Sequence, residues 1–208
     1  LKDERQSPTA SFKDRQASLA ISMLKEADIT EMVVASTGNV AISYSAYCAR
    51  SGIKLWAFLD SEVPHEKMRE VTLYGTEVIK VSSTYDRTKQ VAAQFAEYRK
   101  LFLDKGIKGI AAREAMKTLA FEIADQLGRI YSGAWQAPDW YIQAVSGGMG
   151  PVGVWRGFQE LYDMGLIDKI PKLAIIQTEG CAPMVNSFNK GLEIAEVEYN
   201  PSSVINVL

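Results

Sequence analysis

A lysine near the start of the chain has the sequence setting of a reactive amine. Ser11 precedes Asp14 by three positions, a spacing that resembles a capping box at the start of a helix. Apolar residues then recur at helical spacing, at Ala17, Ala20, Ile21 and Leu24. Lys13 is therefore predicted on the first turn of a helix, where the positive end of the helix dipole favours a neutral amine over an ammonium. A Schiff base requires the neutral amine, although a solvated surface lysine is the alternative.

A polar turn further along could bind an anion. It consists of Ser36, Thr37, Gly38 and Asn39. This turn joins an apolar run at 32–35, predicted as a buried strand, to a predicted helix over about 40–50. Its backbone N–H groups and hydroxyls should point to the end of the strand, which is the geometry of an anion site. The same residue types also form ordinary helix caps, so that interpretation stays open.

A glycine-rich turn follows a second predicted strand, over 140–145. Its residues are Ser146, Gly147, Gly148, Met149 and Gly150. Small residues let the backbone approach a phosphate closely, and a helix is predicted to begin at Pro151. The spacing of Gly148, Gly150 and Gly153 also matches a dinucleotide fingerprint. That fingerprint needs an acidic residue at the end of the next strand, whereas Asp168 precedes the strand predicted over 173–177.

The elements that position these groups alternate between strands and helices. Further strands are predicted over 55–59 and 77–81, and further helices over 65–74, 85–103 and 115–127, the last one closed by Gly128. Short turns between such elements predict an α/β fold with parallel sheets and flanking helices. In a sheet of this kind, ligands bind outside the carboxyl ends of the strands.

Composition excludes several other classes of protein. The 208 residues, 47% of them hydrophobic, are enough for a substantial core, and a net charge of -2 makes nucleic acid an improbable partner. No apolar run approaches the ~20 residues that cross a bilayer, so no membrane partner is expected. Two cysteines and one histidine provide no disulfide framework, metal site or hydrolase triad, and they favour a reduced, cytoplasmic setting.

Several segments together resemble the threonine synthase-like branch of the fold type II pyridoxal-phosphate enzymes. Residues 8–15 follow that branch's Asn-Pro-Thr-Gly-Ser-Phe-Lys-Asp-Arg motif, with Ser7 in place of Asn and Ala10 in place of Gly. Ala10 is taken to mean that no positive φ is needed there. The turn at 36–39, the helix at 114–123 and the segment 177–183 match further motifs in the family's order.

The resemblance implies two αβα domains of the fold type II architecture, incomplete at both ends. It divides the chain into a lysine-bearing segment (1–27), a small mobile domain (28–110) and part of the cofactor domain (111–208). It also implies pyridoxal 5'-phosphate as cofactor, an amino-acid substrate and a homodimer. Lys117 and Thr118, in the helix at 114–123, are candidates for ligand contact.

The resemblance further assigns roles to the candidate residues. Lys13 would form the internal aldimine and then act as the base at the substrate α-carbon, beside Phe12. Asn39 would contact the cofactor ring, residues 36–39 the substrate carboxylate, and residues 146–150 the cofactor phosphate. The implied reaction converts O-phosphohomoserine and water to threonine and phosphate. Serine or threonine dehydratase chemistry, β-replacement chemistry and an inactive binding module remain alternatives.

Overall fold

The protein is described by a computed structural model that covers residues 1–36, 38–61, 63–131, 133–199 and 201–202, with only the backbone given at residue 107. The chain divides into two compact units, Leu1–Ala115 and Met116–Leu208. The three segments predicted from the sequence, with boundaries after residues 27 and 110, were defined by function and mobility as well as by compactness. That division stays a prediction.

The first unit is an open α/β sheet with helices on both faces. Its helices are α1 (Lys13–Glu26), α2 (Asn39–Ser51), α3 (His65–Leu73) and α4 (Tyr85–Arg99). Its strands are β1 (Glu31–Ala35), β2 (Lys54–Asp60), β3 (Glu77–Val81) and β4 (Phe102–Leu103). The strands are parallel and lie in the order β3-β2-β1-β4. This arrangement confirms the predicted parallel α/β architecture.

Alternating side chains of β1 pack into two different hydrophobic cores among the described residues of this unit. Met32 and Val34 pack into a core that also contains apolar residues of α1, α2 and α3. Val33 points to the opposite face, where it packs with Phe58 and with Ala92 of α4. All three β1 side chains are almost completely inaccessible to solvent. Because both faces are covered, the carboxyl edge of the sheet is the place where loops can form a site.

The second unit contains a smaller parallel pair of strands. Helix α5 (Ile110–Tyr131) begins in the first unit and continues into the second. It is followed by β5 (Trp140–Ala144), α6 (Met149–Asp163), β6 (Lys172–Ile176) and α7 (Pro183–Asn189). Strand β5 pairs in parallel with β6. A Cβ on Gly157 of α6 would lie 2.8 Å from the Cβ of Ala120, so α5 and α6 are packed with no room for a larger residue there.

Several boundaries differ from the sequence-based prediction, and helix α5 begins at Ile110, five residues before its predicted start at 115. The helix predicted over 85–103 ends at Arg99, and the two-residue strand β4 follows it. Gly128 does not close α5, which continues to Tyr131. A Cβ at Gly128 would lie 2.2 Å from the Ala134 carbonyl oxygen, so the glycine permits a close approach of two backbone segments instead of ending the helix. Helix α6 begins at Met149, two residues before the predicted start.

None of the helices in the described part of the chain has the length and apolar content needed to cross a membrane.

Candidate active site

Lys13 is the first residue of α1, as predicted. Its side chain is half-buried, and its Nζ lies 4.4 Å from the centroid of the Phe12 ring. Within the described residues, Nζ has no ion pair or hydrogen bond. Burial lowers the pKa of Lys13 from its ordinary value of 10.5 to about 8. A substantial fraction of the amine is therefore neutral near pH 8, and a neutral amine can attack a carbonyl carbon.

The predicted capping box does not form. The helix cap is Phe12, whose side chain makes no capping hydrogen bond. The Ser11 hydroxyl accepts a hydrogen bond from the Lys13 backbone N–H at 3.2 Å, but the Asp14 carboxylate points elsewhere. It accepts hydrogen bonds from the backbone N–H and the hydroxyl of Thr9, at 2.7 and 2.6 Å. Because Asp14 is buried, it fixes the turn that precedes the lysine instead of closing the helix.

Ala10 adopts a left-handed backbone conformation, with φ at 54°. The expectation that this position does not need a positive φ is therefore wrong. The turn is closed by the Ala10 N–H, which donates to the Ser7 carbonyl at 2.8 Å, and it brings Thr9 to Asp14. An alanine in this region is strained by about 1 kcal/mol or slightly more. The lysine turn thus keeps its shape at a cost in stability that glycine would avoid.

The predicted carboxylate-binding turn lies at the carboxyl end of β1. Ser36 is buried, and its hydroxyl accepts a long hydrogen bond from the Gly38 N–H at 3.4 Å. Gly38 caps α2 without a side-chain hydrogen bond, and Asn39 is the exposed first residue of that helix. Thr37 lies outside the described residues. A helix start that follows a buried strand directly can bind a carboxylate through its amides.

The glycine-rich turn lies between β5 and α6 in the second unit. Gly148 is the N-cap of α6 and has φ at 73°, whereas Ser146 and Gly147 are exposed. Met149 and Gly150 belong to the first turn of the helix, so the loop itself is shorter than predicted. A Cβ on Gly150 would lie 2.4 Å from the Gln143 carboxamide. The positive φ favours glycine at Gly148, whereas the contact at Gly150 is with the end of a flexible side chain, and the backbone faces an open space at Gly147.

Sequence reasoning missed two charged residues that follow the carboxyl end of β4. Asp104 accepts hydrogen bonds from the Tyr44 hydroxyl and the Gly106 N–H, and burial raises its pKa. Arg113 lies on the first turn of α5, and its Nε is buried with no hydrogen-bond partner among the described residues. A guanidinium in that state is suited to bind an oxyanion. No sequence signal distinguishes it from a paired arginine.

The side chain of Lys117 is paired with an acidic residue in the structure. Its Nζ forms an ion pair with Glu160, which joins α5 to α6 within the second unit. This contact accounts for Lys117 without a ligand, while Thr118 is exposed. Among the residues that the structure describes, no group of three or more acidic, cysteine or histidine side chains could hold a metal ion.

Comparison with known proteins identifies relatives along nearly the whole chain. The family model described as "Pyridoxal-phosphate dependent enzyme" matches residues 1–204. The threonine synthase of Methanocaldococcus jannaschii is 34% identical over 205 residues, which are 98% of this chain and 49% of that protein. The threonine synthase of Synechocystis is 34% identical over 179 residues, or 86% of this chain and 45% of that protein. The chain thus spans about half the length of the curated relatives that it matches.

Solved structures with the same fold carry several different names. Maize serine racemase superposes with a TM-score of 0.79 and 22% identity, covering 96% of this chain and 56% of its own. The processed form of threonine deaminase isoform 2 from Solanum lycopersicum gives a TM-score of 0.74 and 22% identity, covering 96% of this chain and 54% of its own. At these identities the likeness is one of fold alone.

Proposed function

The chain belongs to the family of pyridoxal-phosphate dependent enzymes, with the fold type II architecture, and on that premise we propose that it is a threonine synthase-like lyase whose cofactor lysine is Lys13. The proposed substrate is O-phosphohomoserine, which with water gives threonine and phosphate. The observation that carries the proposal is the half-buried amine of Lys13 at the start of α1, which has no ion pair or hydrogen bond with any described residue. Because the chain spans only about half the length of these relatives, substrate and reaction belong to the proposal.

The residues in place fit the cofactor chemically. Lys13 would attach the cofactor through its aldehyde carbon, with the Phe12 ring against the lysine side chain. Asn39 would contact the pyridine ring from the start of α2. The turn of Ser146, Gly147, Gly148, Met149 and Gly150 would hold the phosphate. Gly148 has a positive φ at the start of α6, and a Cβ at Gly147 would meet nothing within 4 Å, which supports the role of this turn as a backbone cradle open to a ligand.

Lys13 would also move the proton. Bound pyridoxal 5'-phosphate supplies an electron sink for a carbon next to the substrate amine. Lys13 Nζ, with a pKa of about 8, is close enough to neutrality to take a proton from the substrate α-carbon and return it later. Ser36, Thr37, Gly38 and Asn39 would hold the substrate carboxylate and so orient that carbon toward the amine. Overall, the Cγ–O bond to phosphate would break as Cβ loses a proton, Cγ would gain a proton and water would add at Cβ, so that one O-phosphohomoserine and one water give one threonine and one phosphate.

Arg113 supports a phosphate-bearing substrate. Its buried Nε needs an acceptor, and no described residue provides one. A hydrogen bond from a guanidinium to a phosphate is charge-assisted, and it contributes about 1.5–3 kcal/mol. An amino acid without a side-chain phosphate would leave this N–H unsatisfied. We therefore assign Arg113 as the group that favours O-phosphohomoserine over serine or threonine.

The test combines attachment of the cofactor with turnover. The full chain is incubated with pyridoxal 5'-phosphate and reduced with borohydride, and the modified peptide is identified by mass spectrometry. We expect modification at Lys13, its loss in Lys13→Ala, and no change in Lys25→Ala, because Lys25 is an exposed residue near the other end of α1.

Turnover is then followed with O-phosphohomoserine, L-threonine and L-serine in turn. Release of phosphate together with threonine supports the proposal. Keto acid formed from threonine or serine, without phosphate release, would show dehydratase chemistry instead. Attachment at Lys13 with no turnover of any of the three would show a binding module, and modification at a different lysine would refute the assignment of the site.

A further inference from the structure

We propose that Ser43 and Tyr44, adjacent residues of α2, are positioning residues that hold Lys13 by binding the chain four residues before it and three residues after it. The proposal rests on the proposed function, in which Lys13 is the cofactor lysine. Both side chains are almost completely buried, with exposed fractions of 0% and 1%. They lie on the helix that begins at Asn39, so they connect the lysine segment with the predicted ring contact.

Ser43 binds the turn that precedes the lysine. Its hydroxyl lies 2.9 Å from the Thr9 hydroxyl. Thr9 in turn donates to the Asp14 carboxylate, and that carboxylate also accepts the Thr9 backbone N–H. Since Thr9 uses its hydroxyl proton toward Asp14, Ser43 acts as the donor to Thr9. The three side chains form a continuous hydrogen-bonded chain from α2 to the residue directly after Lys13, with Ser43 and Asp14 buried and Thr9 half-buried.

Tyr44 binds the face of α1 one turn beyond the lysine. Its hydroxyl accepts a hydrogen bond from the Gln16 carboxamide at 3.2 Å and donates one to Asp104 at 3.1 Å. Gln16 is 1% exposed, and its Oε1 finds no partner within the described part of the chain. Among the described residues, the hydrogen-bond partner of the Gln16 side chain is therefore Tyr44. Residues three apart on a helix share a face, so this contact limits rotation of α1 about its own axis.

The two contacts together would keep the lysine amine in its half-buried position. Burial lowers the pKa of Lys13, and no neighbouring charge contributes to that shift. The charged groups of the network, Asp14 and Asp104, are occupied by Thr9 and by Tyr44 with Gly106. If α1 is released at either side, the amine should reach solvent and regain its ordinary basicity. The ties would then act on the lysine through its position and not through direct contact.

The experiment measures the basicity of Lys13 in the cofactor-free full chain. Competitive acetylation over a pH series, read by peptide mass spectrometry, gives the pH at which each lysine becomes reactive. We expect Ser43→Ala and Tyr44→Phe each to raise the midpoint for Lys13 by about one pH unit, toward the value of an exposed lysine. Ser45→Ala is the matched control, because among the described residues that buried hydroxyl donates only to the Ala41 carbonyl of its own helix.

An unchanged Lys13 midpoint in both variants, with only the melting temperature lowered, would overturn the proposal and leave these hydroxyls a purely structural role. An equal shift in Ser45→Ala would overturn it as well. If Tyr44→Phe does not fold, Gln16→Met breaks the same tie from the other side. Acetylation needs neither cofactor nor substrate, so a protein that fails to take up pyridoxal 5'-phosphate refutes the proposed function and still yields a result here.

Discussion

Replacing Lys13 with methionine should stabilise the cofactor-free protein at neutral pH. In the folded state burial disfavours the ammonium, and the pKa falls from 10.5 to about 8. The unfolded chain binds the proton more tightly, so the protonated lysine lowers the free energy of unfolding. Methionine keeps most of the hydrocarbon and carries no charge. Lys13→Met therefore removes the penalty and preserves much of the packing against Phe12.

The size of the effect follows from the shift in pKa. A change from 10.5 to about 8 is about 2.5 pH units, and at 1.36 kcal/mol for each unit it corresponds to about 3.4 kcal/mol. Lys13 is only half-buried, so we take this as an upper limit and expect a gain of about 1–2 kcal/mol. The penalty is fully present below pH 8. It disappears as the pH rises from about 8 to 10.5, because the folded amine loses its proton near pH 8 and the advantage of the protonated unfolded chain then shrinks to nothing by about pH 10.5.

The assay is denaturant unfolding of parent and variant at a series of pH values. The difference in unfolding free energy should be largest near pH 7 and should approach its packing contribution alone above pH 10.5. Lys25→Met, at an exposed position of the same helix, should change stability by less than about 0.5 kcal/mol at every pH. A Lys13→Met protein that is no more stable than its parent at pH 7, or a difference that grows with pH, would refute the reasoning.

Three further predictions test the turn, the helix packing and the anion ligand. Ala10→Gly should raise the free energy of unfolding by up to about 1 kcal/mol, because it removes a strained positive φ, and a loss of stability in denaturant unfolding would contradict the assigned conformation. Gly157→Ala should lower the free energy of unfolding by about 1–3 kcal/mol, because the new Cβ would meet Ala120. Gly147→Ala places its Cβ in open space and should change the free energy of unfolding little when both variants are compared by thermal unfolding. Arg113→Gln should raise the KM for O-phosphohomoserine at least about 10-fold and leave cofactor attachment intact, and equal kinetics to the parent would remove Arg113 from the site.

Most of the elements could be predicted because glycine and proline mark their ends. Gly52 and Gly75 both have the positive φ that closes a helix, at 73° and 78°, and Pro64 precedes α3. Strand β4 was missed because two residues are too few to show a period. Gly128 was misread as a helix end because its real constraint is the Ala134 carbonyl close by. Constraints of that kind arise from tertiary contacts and leave no local pattern.

The residues of the candidate site likewise divide into those that a local sequence pattern predicts and those that depend on tertiary contacts. Lys13, the turn at 36–39 and the turn at 146–150 could be proposed from the sequence because each follows a local pattern of helix start or strand end. Ser43, Tyr44 and Arg113 could not, because their interest lies in which partners they have or lack in the folded chain.

Three features of the first unit lower the stability of the ligand-free protein. Together they indicate which kind of ligand the candidate site would bind. Lys13 is held where its charge is disfavoured, Ala10 is held in a strained conformation, and Arg113 has a buried N–H for which no described residue is an acceptor. Strain and unpaired polar groups persist in proteins when the surrounding structure imposes them, and they cluster at functional sites. A carbonyl compound attached to Lys13 would remove the ammonium, and an anionic substrate would pair with Arg113. The strain at Ala10 would remain, since it sets the turn through Thr9 and Asp14 and not through a ligand. Ligands should therefore offset the costs at Lys13 and Arg113, whereas the strain at Ala10 belongs to the scaffold that holds the lysine in place.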